Sequence, residues 1–590
     1  MCILKRSAAA VAVLAALTLA LAASPVLLAQ GVATRNAQPV KEGPRSDRPF
    51  DARFVDVAAE AGLDVKMVVG SEVRKKYIIE ANGTGVAFFD YDNDGLIDLY
   101  LVNGSTLDPP KADEQPISRL YRNQGKGRFE DVTAASGTGR AGWGGGVCVA
   151  DYDNDGDLDM YVGYWGVNSL YRNEGGGVFK DVAASTGAAG PAREWTSGCT
   201  FVDYDRDGRL DLLVTRYQEF DLKTAPPPGK ASNCEWKGMS VFCGPRGLPY
   251  GGATLYHANQ DGTFEDVSAA VGVSDVGEYY AFTAIAADLD QNGWTDLYVA
   301  CDSTPNVFFI NEEGTLIDFA AETGLAFNEH GFEQGGMGVG VGDFNNDGLL
   351  DLVKTNFAGD YPNLYRNEGD GVFEDVVVRA GLARNPQLVG WGVGMIDLDN
   401  DGLQDVMQVS GHVYPELERE GGGKERYLQP TVIYRNLGDE KFDDVSALAG
   451  EALAVRRSSR GAAFGDYDND GDVDAIVMNM GAAPTLLRND LKNENHWIQV
   501  RLQGVKSNRS AIGATVRVHA GGAVQARAVL SQDSFLSHSD LRQHFGFGSA
   551  GRVDKIEVVW PSGETEAFPA TAADRRVLLL EGSGEIRIEE

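Results

Sequence analysis

The residues of this chain that could do chemistry are aspartates, and they recur in one pattern. "DYDNDGLID" runs from Asp90 to Asp98, with carboxylates at positions 1, 3, 5 and 9 and glycine at position 6. Odd-numbered acids in a tightly curled loop converge on one point, and glycine permits the positive φ that the curl requires. The residue at position 7 can add its backbone carbonyl. Such an oxygen cage carries too much negative charge to stand without a cation. Ca²⁺ accepts roughly six to eight oxygen ligands in flexible geometry, whereas Mg²⁺ demands a stricter octahedron and Zn²⁺ prefers His or Cys.

The pattern occurs seven times. The expected ligands in the first loop are Asp90, Asp92, Asp94, the Leu96 carbonyl and Asp98, and in the second Asp151, Asp153, Asp155, Asp157 and Asp159. The third offers Asp203, Asp205, Asp207, Arg209 and Asp211, and the fourth Asp288, Asp290, Asn292, Trp294 and Asp296. The fifth offers Asp343, Asn345, Asp347, Leu349 and Asp351, the sixth Asp397, Asp399, Asp401, Leu403 and Asp405, and the seventh Asp466, Asp468, Asp470, Asp472 and Asp474. Asn292 and Asn345 keep an oxygen but lose a charge, so those two loops should bind more weakly. An EF-hand needs Glu at position 12 and flanking helices. Here position 12 of the first copy is Leu101, inside the strand-like "LYLVNG". These are therefore strand–loop–strand sites, with up to seven Ca²⁺ acting structurally. A site held tenfold above its Kd adds about 1.4 kcal/mol to stability.

The elements that must position these loops are short strands. A second motif alternates with the first, as in "LYRNQGKGRFEDV" (Leu120–Val132) and "LYRNEGDGVFEDV" (Leu364–Val376), and each copy reads as strand, glycine turn, strand. The chain enters the array with "RFVDV", the second half of this hairpin, and leaves it with "LLRND", the first half. Together they complete one unit, as when the first strand of a ring closes the last blade. The expectation is an all-β protein with a seven-bladed β-propeller over 51–490. The loops resemble the FG-GAP/VCBS repeats, the calcium-binding blades also found in the integrin α propeller, and the family pattern fits all seven.

After Asn495 the pattern changes to short alternating strands, which predict a separate small β-sandwich or barrel-like domain over 495–590. "NHWIQVRLQGVKSNRSAIGATVRV", "FGFG" and "VDKIEVVWPSG" resemble the ASPIC/UnbV domain. A propeller followed by this domain is the architecture of the cartilage acidic protein-like family. The resemblance implies calcium binding and extracellular interaction, without an established reaction.

Net charge is −34, which argues against a nucleic-acid partner and suits a protein that binds cations. The start, "MCILKRSAAAVAVLAALTLALAASPVLLAQ", has the basic then apolar build of a secretory signal peptide over 1–29, followed by a flexible linker over 30–50. The exported protein would be secreted, periplasmic or on the cell surface, without a membrane span, and monomeric. Cys234 and Cys243, in a Pro/Gly-rich insertion at about 217–252, should form a disulfide in an oxidising compartment. Cys148, Cys199 and Cys301 read as buried small hydrophobes.

A ligand rim is a further expectation. Where the innermost strands enter stand Trp143, Glu194, Trp195, Tyr279, Tyr280, Glu333, Trp391 and Arg460, a mixture of aromatics and charges that would suit a sugar or peptide at the channel mouth. Five residues before each Asp loop comes Gly85, Gly146, Gly198, Gly338, Gly392 or Gly461, with Thr283 in the remaining blade. These small residues suit crowded innermost strands. His330 and His412 read as surface or turn histidines. No nucleophile elbow, phosphate loop or dinucleotide fingerprint occurs. The sequence thus points to an exported calcium-binding propeller that binds a protein or glycan. A carbohydrate-active lyase or hydrolase working at the propeller mouth is the alternative.

Overall fold

The computed structural model describes residues 31–589, apart from 36, 41, 42, 44, 46–48 and 421–423. The expected signal peptide lies outside the described residues. Seven four-stranded antiparallel sheets follow one another along the chain. The first is Val86–Phe89, Asp98–Leu101, Arg119–Asn123 and Phe129–Asp131. The innermost strands of the other six are Gly144–Ala150, Glu194–Val202, Ala281–Ala287, Gly336–Gly342, Gly390–Ile396 and Ser459–Gly465. Each innermost strand packs against the next, and the seventh packs against the first, so the ring is closed.

Closure is made by the split unit. Phe54–Asp56 pairs antiparallel with Thr485–Asn489, in the register Phe54 to Asn489 and Asp56 to Leu487. The first strand of the array is thus the outermost strand of its last sheet. Between blades, apolar side chains from facing sheets interlock. Phe88, Leu99 and Phe129 of the first blade meet Tyr467, Ile476 and Leu486 of the seventh.

The C-terminal residues form two further sheets. Trp497–Gln503 lies between Gln543–Gly546 and Arg575–Leu580, and Thr515–Ala520 lies between Ala523–Ala528 and Arg552–Val559. Ile498, Val516, Phe545, Ile556, Trp560 and Val577 share their core. Among the described residues of 31–50, the chain is tied down instead of behaving as a free linker. Ala33 N–H bonds Ser303 Oγ at 2.8 Å, Arg35 pairs with Glu329 and Asp360, and Val40 N–H bonds Ala383 O at 2.9 Å.

Candidate metal centres and a filled channel

Every Asp loop joins an innermost strand to the second strand of its blade, so all seven occupy equivalent places. Within each loop the backbone presets the acids. In the first, Asp90 accepts the N–H groups of Asp94 and Gly95 at 3.1 and 2.9 Å, and Asp94 accepts that of Leu96 at 3.0 Å. The position-9 acid is wholly buried at the start of the second strand. Asp98 accepts Tyr91 N–H at 3.2 Å and Asn123 N–H at 2.7 Å, which ties loop, second strand and third strand together. Asp159, Asp296, Asp351, Asp405 and Asp474 repeat this arrangement.

The donor sets fit a hard dication. Ligand atoms of Asp90, Asp92 and Asp94 lie within 4.8 Å of one another, as do those of Asp151, Asp153 and Asp159, of Asp203, Asp205 and Asp211, and of Asp288, Asp290 and Asp296. Asp92, Asp288, Asp399 and Asp468 each hold a buried carboxylate oxygen without a hydrogen-bond partner. Burial pushes Asp90 up to about 6, Asp151 and Asp203 up to about 7 and Asp98 up to about 8, and it holds Asp159, Asp296, Asp351, Asp405 and Asp474 well above the usual carboxylate range. Neighbouring carboxylates add to the rise. A bound dication reverses this logic by favouring the ionised form. In four loops an arginine pairs with the acids: Arg122 meets Asp92 and Asp94, Arg509 meets Asp151, Arg209 meets Asp207, and Arg435 meets Asp399 and Asp401.

Three features escaped the sequence reading. Position 4 of every loop has left-handed backbone, with φ between 56° and 63° at Asn93, Asn154, Arg206, Gln291, Asn346, Asn400 and Asn469. Six of these side chains donate to the position-6 glycine carbonyl of the next loop, from Asn93 to Gly156 round to Asn469 and Gly95. The loops are therefore linked to one another. The recurring Asn in "LYRN" and its variants adds a second set of links. Asn173 Nδ2 donates to Tyr91 O of the preceding blade at 2.8 Å, and Asn123 likewise to Tyr467 O at 2.9 Å. Third, His257 stands where most blades carry Arg. Its Nδ1 lies 3.1 Å from Asp211 Oδ1 and 3.5 Å from Asp205 Oδ2, so the third loop mixes imidazole with carboxylates.

The channel is not open. Residues 531–538, between two strands of the C-terminal sheets, run inside the ring and bond its innermost strands. Val147 N–H donates to Leu536 O at 3.0 Å and Phe88 N–H to His538 O at 3.0 Å, while Val339 and Ser534 exchange two bonds of 2.7 Å. The small residues that precede the loops line this plug. A Cβ on Gly85 would lie 1.7 Å from Leu536 O, one on Gly198 2.7 Å from Gln532 Oε1, and one on Gly461 2.7 Å from Ser537 Oγ. Thr283 Oγ1 reaches Ser534 O and Leu536 N–H at 3.5 and 3.4 Å.

The expected rim is interior as well. Trp143, Trp195, Tyr279, Tyr280, Trp391 and Arg460 are buried. Phe535 at the plug tip meets Trp391 edge-on at 4.7 Å, and the Arg460 guanidinium lies 4.1 Å from the Trp391 ring centre. The cysteine insertion packs over them: Tyr280 OH donates to Leu248 O, and Trp236 packs edge-on to Phe357 and tilted against His412 and Tyr414. Glu194 and Glu333 are committed to Arg216 and Arg246. These side chains hold a cap in place and present no open rim. Cys234 and Cys243 are bonded within that cap. Cys148 and Cys199 are bonded too, because they face each other on the innermost strands of adjacent blades, Cα atoms 5.8 Å apart; Cys301 is a buried free thiol. His330 is exposed, but His412 is completely buried, because the cap closes over its loop.

Fold and site define a closed propeller with an acidic loop in each blade and a C-terminal β-module plugged into its axis. Residues 90–162, 157–214 and 288–354 match the FG-GAP-like repeat, and residues 504–586 match ASPIC and UnbV. The chain therefore carries FG-GAP-like repeats followed by an ASPIC and UnbV domain. Cartilage acidic protein 1 of Mus musculus is 25% identical over 478 residues, which cover 71% of this chain and 70% of its own. Integrin alpha-3 of Cricetulus griseus is 29% identical over 160 residues, 24% of this chain and 14% of its own. Among solved structures, an Agrocybe aegerita lectin that recognises terminal N-acetylglucosamine aligns over 75% of this chain and 98% of its own at 16% identity and a TM-score of 0.33. The rhamnogalacturonan lyase YesW aligns over 80% and 92% at 13% identity and a TM-score of 0.30.

Proposed function

We propose that this chain is an exported binding module whose propeller is braced by calcium in its blade loops, the metal being structural and not catalytic. The observation that carries this reading is the set of seven equivalent, linked acidic loops, four of them with a buried carboxylate oxygen lacking a partner. A hard dication would satisfy those oxygens and relieve the repulsion between them. Position-1, -3, -5 and -9 carboxyls would hold it, with the amides at positions 91, 94 and 95 and their counterparts orienting them. The signal-like start supports export, and kinship with cartilage acidic protein 1 and integrin alpha-3 supports an interaction role outside the cytoplasm. Among the described residues no helix is long and apolar enough to cross a membrane. A net charge of −34 leaves a protein or a glycan as the partner class. The alternative of an enzyme at the propeller mouth is disfavoured because plug and cap fill the axis.

Melting the mature protein with calcium and with a chelator, then titrating calcium back, tests the reading. A large calcium-dependent rise in Tm with about seven sites supports it. No shift, or only one or two sites, overturns the structural metal array.

A further inference from the structure

One place in the third strand of each blade sets the third blade apart. It holds Arg122, Arg172, Arg366, Arg435 or Arg488 in five blades and Ile310 in the fourth, but His257 in the third. Arg122 and Arg435 show where this place points, since they reach the acids at loop positions 3 and 5. Arginine there can only neutralise those acids, because a guanidinium accepts nothing. A neutral imidazole has a lone pair to give.

The imidazole is set among carboxylates. Its Nδ1 lies 3.1 Å from Asp211 Oδ1 and 3.5 Å from Asp205 Oδ2, yet this buried nitrogen has no hydrogen-bond partner among the described residues. Two ligands of one tetrahedral Zn²⁺, each about 2.0–2.2 Å from the ion, stand about 3.3–3.6 Å apart. The two separations fall at that spacing to within a few tenths of an ångström. Ligand atoms of Asp205, Asp207 and His257 lie within 4.8 Å of one another, as do those of Asp203, Asp205 and Asp211. Tyr204 meets the imidazole edge-on at 6.1 Å and supports the ring. Arg209, at loop position 7, pairs with Asp207 and donates Nε–H to Ala258 O at 2.8 Å. It engages a carboxylate that calcium would otherwise use. The third loop is thus poorer in free oxygens and richer by one nitrogen.

We propose that the third loop is a site for a divalent transition ion, Zn²⁺ foremost, held by His257, Asp205 and Asp211 with Asp203 beside them. Imidazole suits Zn²⁺ and its first-row neighbours, whereas Ca²⁺ and Mg²⁺ take oxygen ligands. The ring is partly exposed, so an ion has a path to it from solvent. The site also falls where the ring of blades lacks a tie. Six blades carry Asn at the next position, and its Nδ2 donates to a carbonyl of the preceding blade; the third carries Ala258. This inference rests on the reading that the loops hold dications, and changes the metal at one of the seven. In calcium alone the third loop still counts in the array; zinc displaces calcium there and not in the all-oxygen loops.

The test uses the full mature chain, stripped with chelator and then equilibrated with excess calcium and equimolar zinc. Elemental analysis after gel filtration should find one zinc per chain, with calcium in the other loops. Co²⁺ in place of zinc should give a paramagnetically shifted imidazole resonance that H257A lacks. H257A should weaken zinc by more than about 100-fold, beyond the loss from a residue that only supports a ligand, and keep its calcium in the other loops. H519A, which removes a histidine paired with Glu557 on the C-terminal module, should leave zinc unchanged. No zinc retained in calcium, zinc held equally by H257A, or zinc lost in H519A would each overturn the proposal. The calcium count on the same samples reads the array separately. Calcium bound without zinc sinks this site alone, and zinc bound without calcium sinks the array alone.

Discussion

The position-9 aspartate does two things at once. In the fifth blade, Asp351 accepts Asn367 N–H at 2.8 Å and Phe344 N–H at 3.1 Å while lying at the head of the second strand. Replacing it by alanine leaves two buried amides unsatisfied, each costing about 1–3 kcal/mol. D351A should therefore lower the urea midpoint by an amount equivalent to about 2–6 kcal/mol and remove one calcium site. D351N keeps an acceptor oxygen and should cost less, while binding less calcium. Equal stability of D351A and the parent would refute the tie. Histidine sets a second expectation. Burial lowers His412 to about 3, with Arg460 and Lys237 adding to it, and lowers His538 to about 4. Unfolded, both titrate near 6.5, so between that pH and their folded values the unfolded chain binds more protons. Their contribution is present above about 6.5 and falls as pH drops, by about 2 kcal/mol each at pH 5. Unfolding of H412N, whose Oδ1 can replace Nδ1 as acceptor for Val413 and Tyr414 N–H, should show a shallower loss of stability from pH 7 to pH 5 at saturating calcium.

Among the elements, the innermost strands and the plug specify each other. Gly85, Gly146, Gly198, Gly338, Gly392 and Gly461 are small because a second peptide passes beside them. At Gly85 the obstacle is the Leu536 carbonyl, which no rotamer change can move aside. Gly85→Val should unseat the plug, lower Tm by several degrees and expose 531–538 to proteolysis. Gly277→Ala, where a new Cβ meets nothing within 4 Å, is the neutral comparison. A G85V protein as protease-resistant as its parent would show that the plug does not need this contact. The glycines were legible as a periodic signal, but their meaning was not, because their partner lies about 75 to 450 residues away in sequence. The same distance hid the Cys148–Cys199 bond, which needs the ring before the two strands become neighbours. The strands, the split closing unit and the Asp loops were readable because they depend on local periodicity and turn chemistry. Asn93 and its counterparts were readable in principle, since Asn at a fixed place in a glycine turn favours the left-handed region. The rim aromatics misled because a large apolar residue beside a channel reads the same whether a ligand or a cap covers it.

On the scale of the whole molecule, the acidic loops join the two parts of the chain. The C-terminal module seats directly on them. Ala526 N–H donates to Asp343 Oδ2 at 3.1 Å, Gln499 Nε2 to Asp466 Oδ2 at 2.8 Å, and Arg509 N–H to Asn154 Oδ1 at 2.7 Å. Arg517 Nε reaches Gly348 O at 3.1 Å, and Asp151 N–H reaches Ser510 Oγ at 2.9 Å. Asp343 and Asp466 thus serve their own loops, through Gly348 and Gly471 N–H, and the module above them. Calcium in these loops would fix the carboxylates on which the module rests, and with them the plug below. Removing it leaves clustered carboxylates that repel one another or take up protons, and both outcomes disturb the acceptors that the module uses. Chelation should therefore loosen residues 531–538 before it melts the blades. Amide exchange at 20 °C reads this directly: in chelator, protection of the plug amides, Ser534 and His538 among them, should fall by about tenfold or more, equivalent to about 1.4 kcal/mol. Amides in second strands such as Asp351–Asn356 should keep most of theirs. If the plug stays as protected as those strands once calcium is stripped, the module is held by its apolar contacts alone and the loops brace only their own blades.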